Sequence, residues 1–184
     1  MNLLGTEIGF TRLDALEARC CLTLNQLARH GFVRHYFAIV SRLGDGVAWY
    51  AMLAVLPAVF GWQAWREVTH MAITALIAVA IYKFLKEGLV RERPCLSHVG
   101  IAALTAPLDR YSFPSGHTMH AVAFVTMLGQ YFPEVATLML PFSISVALSR
   151  VILGLHYPTD VVAGALLGWV IARVSLFAGA LVWV

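Results

Sequence analysis

From Asp45 onward the chain presents one bilayer-length apolar segment after another, separated by short polar breaks. Few folds are open to such a sequence. Inside hydrocarbon every backbone N–H and C=O must find its partner within the protein, so an apolar run of about 20 residues becomes a transmembrane helix. The breaks predict a first span from Gly46 to about Trp65, kinked at Pro57, with Trp49, Tyr50, Trp62 and Trp65 near its ends as an interfacial aromatic belt. Arg66 and Glu67 mark a tight turn. A second span over 68–88 carries Lys83 and Lys86 to its far end. A loop of about 25 residues follows to Phe113, a length usually kept for function. The third span starts at Ser115 and runs to about Phe132. The fourth runs from Pro133, where a first-turn proline is tolerated, to about Leu155, and the fifth starts near Pro158. Composition agrees, with 60% hydrophobic and 12% charged residues, against about 25% charged in a soluble domain. The expected fold is an all-α integral membrane protein, a bundle of five transmembrane helices, six at most, in one domain over 45–184.

Residues 1–44 read differently, as an amphipathic N-terminal helical segment. Thr11 and Asp14 resemble a capping pair, and Leu13, Leu16, Cys20, Leu24 and Leu27 recur at three- and four-residue steps. Glu17, Arg19, Asn25, Gln26 and Arg29 occupy much of the rest. The pattern suits a helix lying in the membrane interface and ending near Gly31, and equally a helix packed on the bundle. Phe32 to Leu43 carries Arg34, His35 and Arg42, too many charges for the centre of a bilayer. The first twenty residues lack an apolar core with a small-residue cleavage site, so no removable signal peptide is expected. Cys20, Cys21 and Cys95 make neither a disulfide framework nor a metal spacing. A net charge of +3, with the basic residues grouped in motifs, argues against a nucleic-acid partner.

Three polar clusters interrupt the apolar pattern, and the span order brings all of them to one face of the membrane. The first is Lys86-x6-Arg93-Pro94, at the end of the second span and in the loop. The second is Pro114-Ser115-Gly116-His117, opening the third span. The third is Ser149-Arg150-x5-His156-x3-Asp160, from the end of the fourth span to the start of the fifth. A turn that opens a helix offers unpaired N–H groups and a favourable dipole to an anion. Gly116 allows close backbone approach, and Ser115 can cap the helix or donate its hydroxyl. Lys86, Arg93 and Arg150 supply cations suited to phosphate oxygens. Taken singly, Lys86 could be a snorkelling lysine, and His156 with Asp160 a structural pair. Arg150 is harder to dismiss, because an unpaired cation inside an apolar helix costs about 2.5–3.5 kcal/mol. His30, His35, His70, His98 and His120 read as interface or packing residues, and Lys83 and Arg91 as facing headgroups, with added positive potential near the site as the alternative.

Filled in order, these three clusters resemble the signature of the type 2 phosphatidic acid phosphatase superfamily, over roughly residues 45 to 180. The resemblance implies that His156 is the nucleophile, forming a phosphohistidine, and that Asp160 orients it. His117 would protonate the leaving group and later activate water. Lys86, Arg93, Ser115, Gly116 and Arg150 would bind the phosphate, with no metal and no cofactor. The implied substrate is a membrane lipid phosphate, such as undecaprenyl diphosphate, phosphatidylglycerol phosphate, phosphatidate or a lipid A phosphate. Soluble vanadium haloperoxidases share the motifs but not the hydrophobicity. A non-catalytic lipid-binding or transporter-associated membrane protein is the rival from another class. Bacterial relatives place such a site on the periplasmic face of the inner membrane. Counting Arg12, Arg19, Arg29, Arg34 and Arg42 against Arg66 favours the cytoplasmic side instead.

Overall fold

A computed structural model describes residues 10–107 and 109–182, and the side chains of 10–15 and 182 lie outside it. The proposed capping pair Thr11 and Asp14 therefore lies outside the described side chains. Eight α-helices, a π turn and a short 3-10 turn make up the described secondary structure, without a strand among these residues. They are α1 (Phe10–Leu27), α2 (Gly31–Arg42), α3 (Ala48–Phe60), α4 (Trp65–Gly88), the short α5 (Pro94–Ser97), α6 (Gly116–Tyr131), α7 (Pro133–Ile152) and α8 (Pro158–Val182). Prolines open α5, α7 and α8, positions where the missing N–H costs nothing.

The first span differs from its expected bounds. A π turn over Leu43–Val47 joins α2 to α3, giving one apolar helical stretch, Gly31–Phe60, of 30 residues. At 1.5 Å per residue it is about 45 Å long, half as long again as a hydrocarbon core. The excess explains how exposed Arg34, His35 and Arg42 coexist with a spanning helix, since the charged turns can project beyond the hydrocarbon. Trp62–Gly88, Pro133–Ile152 and Pro158–Leu181 are likewise long and apolar enough to cross. Their outward surfaces carry bare apolar side chains such as Leu76, Phe84, Leu138, Val174 and Phe177, as lipid-facing positions require. This is a multi-pass, all-helical membrane protein.

Helix α6 forms the axis, in contact with α4, α7 and α8. Its buried Phe124, Met127 and Leu128 meet Trp49, Leu56, Val68, Met71 and Val146 from the surrounding elements, and Met119 packs with Ala78 and Ile171. Trp49 stacks on Phe124 with ring centroids 5.0 Å apart and donates its Nε1–H to the Gly44 carbonyl at 3.0 Å. It is a core residue and not part of an aromatic belt, whereas Trp62 is largely exposed. Helices α6 and α8 approach closely. A Cβ at Gly164 would collide with the Ser115 carbonyl, and one at Gly168 with the Met119 carbonyl. This small-xxx-small pair lets the two backbones touch where side chains would hold them apart.

Helix α1 packs on α7 and α8 with a face rotated by one residue, about 100°, from the one its periodicity suggests. Glu17, Cys21, Asn25 and Ala28 are buried, while Leu16 and Leu27 are exposed. The rotation follows from hydrogen bonding. Asn25 donates to the carbonyls of Ala102 and Ile152, both at 3.0 Å, and accepts from the Ala102 N–H at 3.0 Å. It thus ties the first helix to the long loop and to the end of α7.

Candidate active site

Helix direction alternates through the bundle, so the end of α4, the start of α6, the end of α7 and the start of α8 lie together. Each expected residue can be placed there. Lys86 is buried in the last turn of α4 and donates to the Tyr111 carbonyl at 2.6 Å and to Asp109. Arg93, 1% exposed, is held extended ahead of Pro94, as pre-proline residues are. Its guanidinium donates to the Leu155 carbonyl at 2.7 Å, to the Asp109 carbonyl at 3.0 Å and to Asp109 Oδ1 at 2.7 Å. Arg150, 3% exposed, donates to the Ser41 hydroxyl, while its Nε is buried without a hydrogen-bond partner. A buried cationic donor with capacity to spare is suited to an anion's oxygen.

His156 lies in the connection between α7 and α8, 2% exposed. Its Nε2 is 3.3 Å from an Arg93 nitrogen that can only donate, so Nε2 is the acceptor and the ring proton resides on Nδ1. Nδ1 faces Asp160 Oδ2 at 3.6 Å, beyond hydrogen-bond distance, and is buried without another hydrogen-bond partner among the described residues. Burial, and then the charges of Arg150, Arg93 and Lys86, hold the imidazole pKa well below its ordinary value. The ring is therefore neutral, with its Nε2 lone pair turned toward Arg93. Asp160 is fully buried in the first turn of α8, where Oδ2 also accepts the Tyr157 N–H at 2.8 Å.

At the start of α6 the first intrahelical bond runs from the Met119 N–H to the Ser115 carbonyl, so the N–H groups of Gly116, His117 and Thr118 precede the ladder. The Ser115 N–H donates to the Asp160 carbonyl at 3.0 Å, which fixes this turn against α8. The Ser115 hydroxyl makes no cap bond. It pairs instead with the Thr118 hydroxyl at 3.0 Å. Gly116 lies against the Tyr82 ring. His117 is within electrostatic reach of Arg150, His156 and Arg93, and its Nε2 faces Asp45 Oδ1 at 3.6 Å.

Several contributors were not legible as site residues. Asp109, from the long loop, accepts hydrogen bonds from Lys86, Arg93 and Tyr82. Burial alone would raise its carboxyl pKa. Hydrogen bonds from Lys86 and Tyr82, with the charges of Lys86 and Arg93, hold it below the ordinary value instead. Asp45 and Ser41 come from the α2–α3 stretch and Glu17 from α1. Arg91 is not directed at headgroups, since it is 7% exposed and paired to both Glu17 and Asp160. Its one signal in the sequence was its position two residues before Arg93, which puts both side chains on the same side of an extended segment. The remaining histidines fit packing and surface roles. His70 contacts Tyr131 and Ser175, His98 lies edge-on to Tyr157, and His30 and His35 are exposed.

Known proteins resemble this chain in sequence and in fold. The model of the PAP2 superfamily matches residues 67–180, more than half of the 184-residue chain. The decaprenylphosphoryl-5-phosphoribose phosphatase of Mycolicibacterium smegmatis is 36% identical over 127 residues, covering 68% of this chain and 67% of that one. The lipid A 1-phosphatase of Rhizobium johnstonii is 30% identical over 103 residues, covering 54% of this chain and 42% of its own. Two solved structures share the fold. Aquifex aeolicus LpxE superposes with a TM-score of 0.74 at 24% identity, covering 86% of this chain and 93% of that one. The transmembrane PAP2-type phosphatidylglycerolphosphate phosphatase of Bacillus subtilis gives 0.76 at 22% identity, covering 94% and 89%. With the motif residues gathered at one end of a helical bundle and the family model spanning most of that bundle, the chain belongs to the PAP2 superfamily.

Proposed function

We propose that this protein hydrolyses a phosphomonoester or diphosphate of a membrane lipid through a phosphohistidine on His156. The observation that carries the reading is the buried, neutral imidazole with its Nε2 lone pair facing Arg93 and the charges of Lys86 and Arg150 around it. The substrate phosphate docks on Lys86, Arg93, Arg150 and the free N–H groups at the start of α6, sharing or displacing the Asp109 carboxylate. Nε2 attacks phosphorus as the bond to the lipid oxygen breaks, and His117 passes a proton to the departing oxygen. Asp160 steadies the positive ring through Nδ1–H. In the second half, His117 takes a proton from water, the hydroxide attacks phosphorus, and the P–N bond breaks to release inorganic phosphate. Asp45 Oδ1, 3.6 Å from His117 Nε2, is placed to orient that ring. The cations carry the transition-state charge that a metal carries in many other phosphoryl-transfer enzymes.

The lipid enters from the side. The motif residues cluster at helix ends, so the phosphate sits at headgroup depth, and each buried CH₂ contributes about 0.8 kcal/mol to binding. The relatives named above act on a polyprenyl-linked phosphate and on a lipid A phosphate, which supports a lipid headgroup phosphate as the substrate class. Helix α6, with the four longer apolar stretches, makes a five-span bundle, and the site opens to the periplasm from the bacterial inner membrane. Membrane-impermeant thiol labelling of Cys95 in intact spheroplasts, with Cys20 and Cys21 replaced, tests that orientation; reaction only after permeabilisation reverses it. Function is tested by phosphate release from a phosphomonoester series differing only in chain length, at fixed detergent mole fraction. The reading expects kcat/KM to rise with chain length. A flat series points to a soluble ester, and no turnover of any lipid phosphate points to a non-catalytic binding protein.

A further inference from the structure

The lipid-phosphatase reading gives tasks to three motif cations, two histidines and Asp160. It leaves Arg91 and Glu17 without one, although both are only 7% exposed within the site. An arginine buried this deeply is costly unless its charge is met, and here both terminal nitrogens are met by groups adjoining the nucleophile. One terminal nitrogen of Arg91 donates to Asp160 Oδ1 at 2.5 Å and to the Thr159 hydroxyl at 2.8 Å. The other donates to Glu17 Oε2 at 2.7 Å, and the guanidinium carbon lies 4.0 Å over the Tyr157 ring. Glu17 closes the frame: its Oε1 accepts the Thr159 N–H at 2.6 Å and its Oε2 the Thr159 hydroxyl at 2.8 Å.

The two oxygens of Asp160 are thereby divided. Oδ1 belongs to Arg91, while Oδ2 takes the Tyr157 N–H and faces His156 Nδ1. A carboxylate held at one oxygen by a planar fork cannot swing away, so its second oxygen stays aimed at the imidazole through both halves of the reaction. The anchor of that fork is a side chain of α1, 74 residues earlier in the chain. From the same helix face Cys21 contacts the His156 carbonyl at 3.8 Å, and Asn25 holds the Ile152 carbonyl at the end of α7.

We propose that Arg91 is a positioning residue for the Asp160–His156 pair, and that Glu17 makes the N-terminal helix a working part of the catalytic frame. The proposal rests on the assignment of His156 as nucleophile. Its chemistry is that of an outer-shell partner, whose loss costs about 10–100-fold in activity while substrate contacts remain. A purely structural ion pair predicts something else: loss of stability, with kcat intact in whatever protein stays folded.

The test compares Arg91→Gln, Asp160→Asn and their double variant in the full-length protein in one detergent, with kcat, KM and melting temperature measured for each. Positioning through Asp160 predicts that Arg91→Gln lowers kcat about 10–100-fold with KM within about threefold. It also predicts that the double variant is no slower than Asp160→Asn alone, because the arginine then has nothing left to position. An unchanged kcat, or fully additive losses, overturns the proposal. If Arg91→Gln is not monodisperse, Glu17→Gln carries the same test, since it keeps the side-chain shape and removes only the charge on the fork. An about tenfold lower kcat at normal KM then supports the frame, and normal kcat overturns it. His156→Ala is the separate control. Full activity in that variant defeats the nucleophile assignment itself and is distinguishable from every outcome above.

Discussion

At the scale of single residues, the charge state of His156 and the occupancy of the cations around it set what the site can do. Because the folded imidazole pKa lies well below its ordinary value near 6.5, the unfolded chain takes up the proton first as pH falls. Stability linked to His156 is therefore intact above about pH 6.5 and declines as acid is added below it. Melting temperatures at pH 7.5 and 5.5 check this, with the acid-induced drop expected to be smaller in His156→Gln than in the parent. Asp109 engages Lys86 and Arg93, so a free phosphate competes with an internal carboxylate for them. Apparent affinity falls in proportion to the fraction of molecules whose cations are free. Asp109→Asn is expected to tighten inhibition by inorganic phosphate or vanadate, by up to about tenfold, measured as Ki against a fixed lipid substrate. A weaker Ki in that variant would show that Asp109 supports the phosphate site.

At the scale of helices, α6 and α8 hold the two histidine-bearing turns in register, and their contact depends on Gly164 and Gly168. Gly168→Val forces the helices apart, with an expected loss of about 1–3 kcal/mol and a lower kcat, read from melting and turnover of the same preparation. Most of these elements could be read from the sequence, because bilayer-length apolar runs and helix-opening prolines are local signals. The starts of α6, α7 and α8 fall within a residue or so of expectation for that reason. The failures were non-local. Arg34, His35 and Arg42 stopped the first span short, since composition does not reveal that a 30-residue helix can overhang the bilayer. Glu17 and Asn25 looked solvent-facing because they are polar, yet their partners lie 74 or more residues away, where periodicity carries no information. Trp49 was assigned to an interface for the same reason, until the structure stacked it on Phe124.

For the whole molecule, the three motifs were legible because each carries reactive side chains in fixed spacing beside an apolar run. The residues that hold those side chains in place, Asp45, Asp109, Arg91 and Glu17, follow no such spacing and emerge only from the fold. What results is a bundle with one polar end, lipid-facing flanks, and the proposed nucleophile His156 buried beside Arg93 and within the field of Lys86 and Arg150. The claim on which its function depends is covalent transfer to His156. Rapid acid-free quenching of a single turnover with a ³²P-labelled lipid phosphate measures it, followed by denaturing separation of protein from lipid. A burst of protein-bound phosphate is predicted, close to one per active site, alkali-stable and acid-labile as a phosphohistidine is, and absent from His156→Ala. Multiple turnovers with no protein-bound phosphate at any time point, or an undiminished burst in His156→Ala, would contradict it.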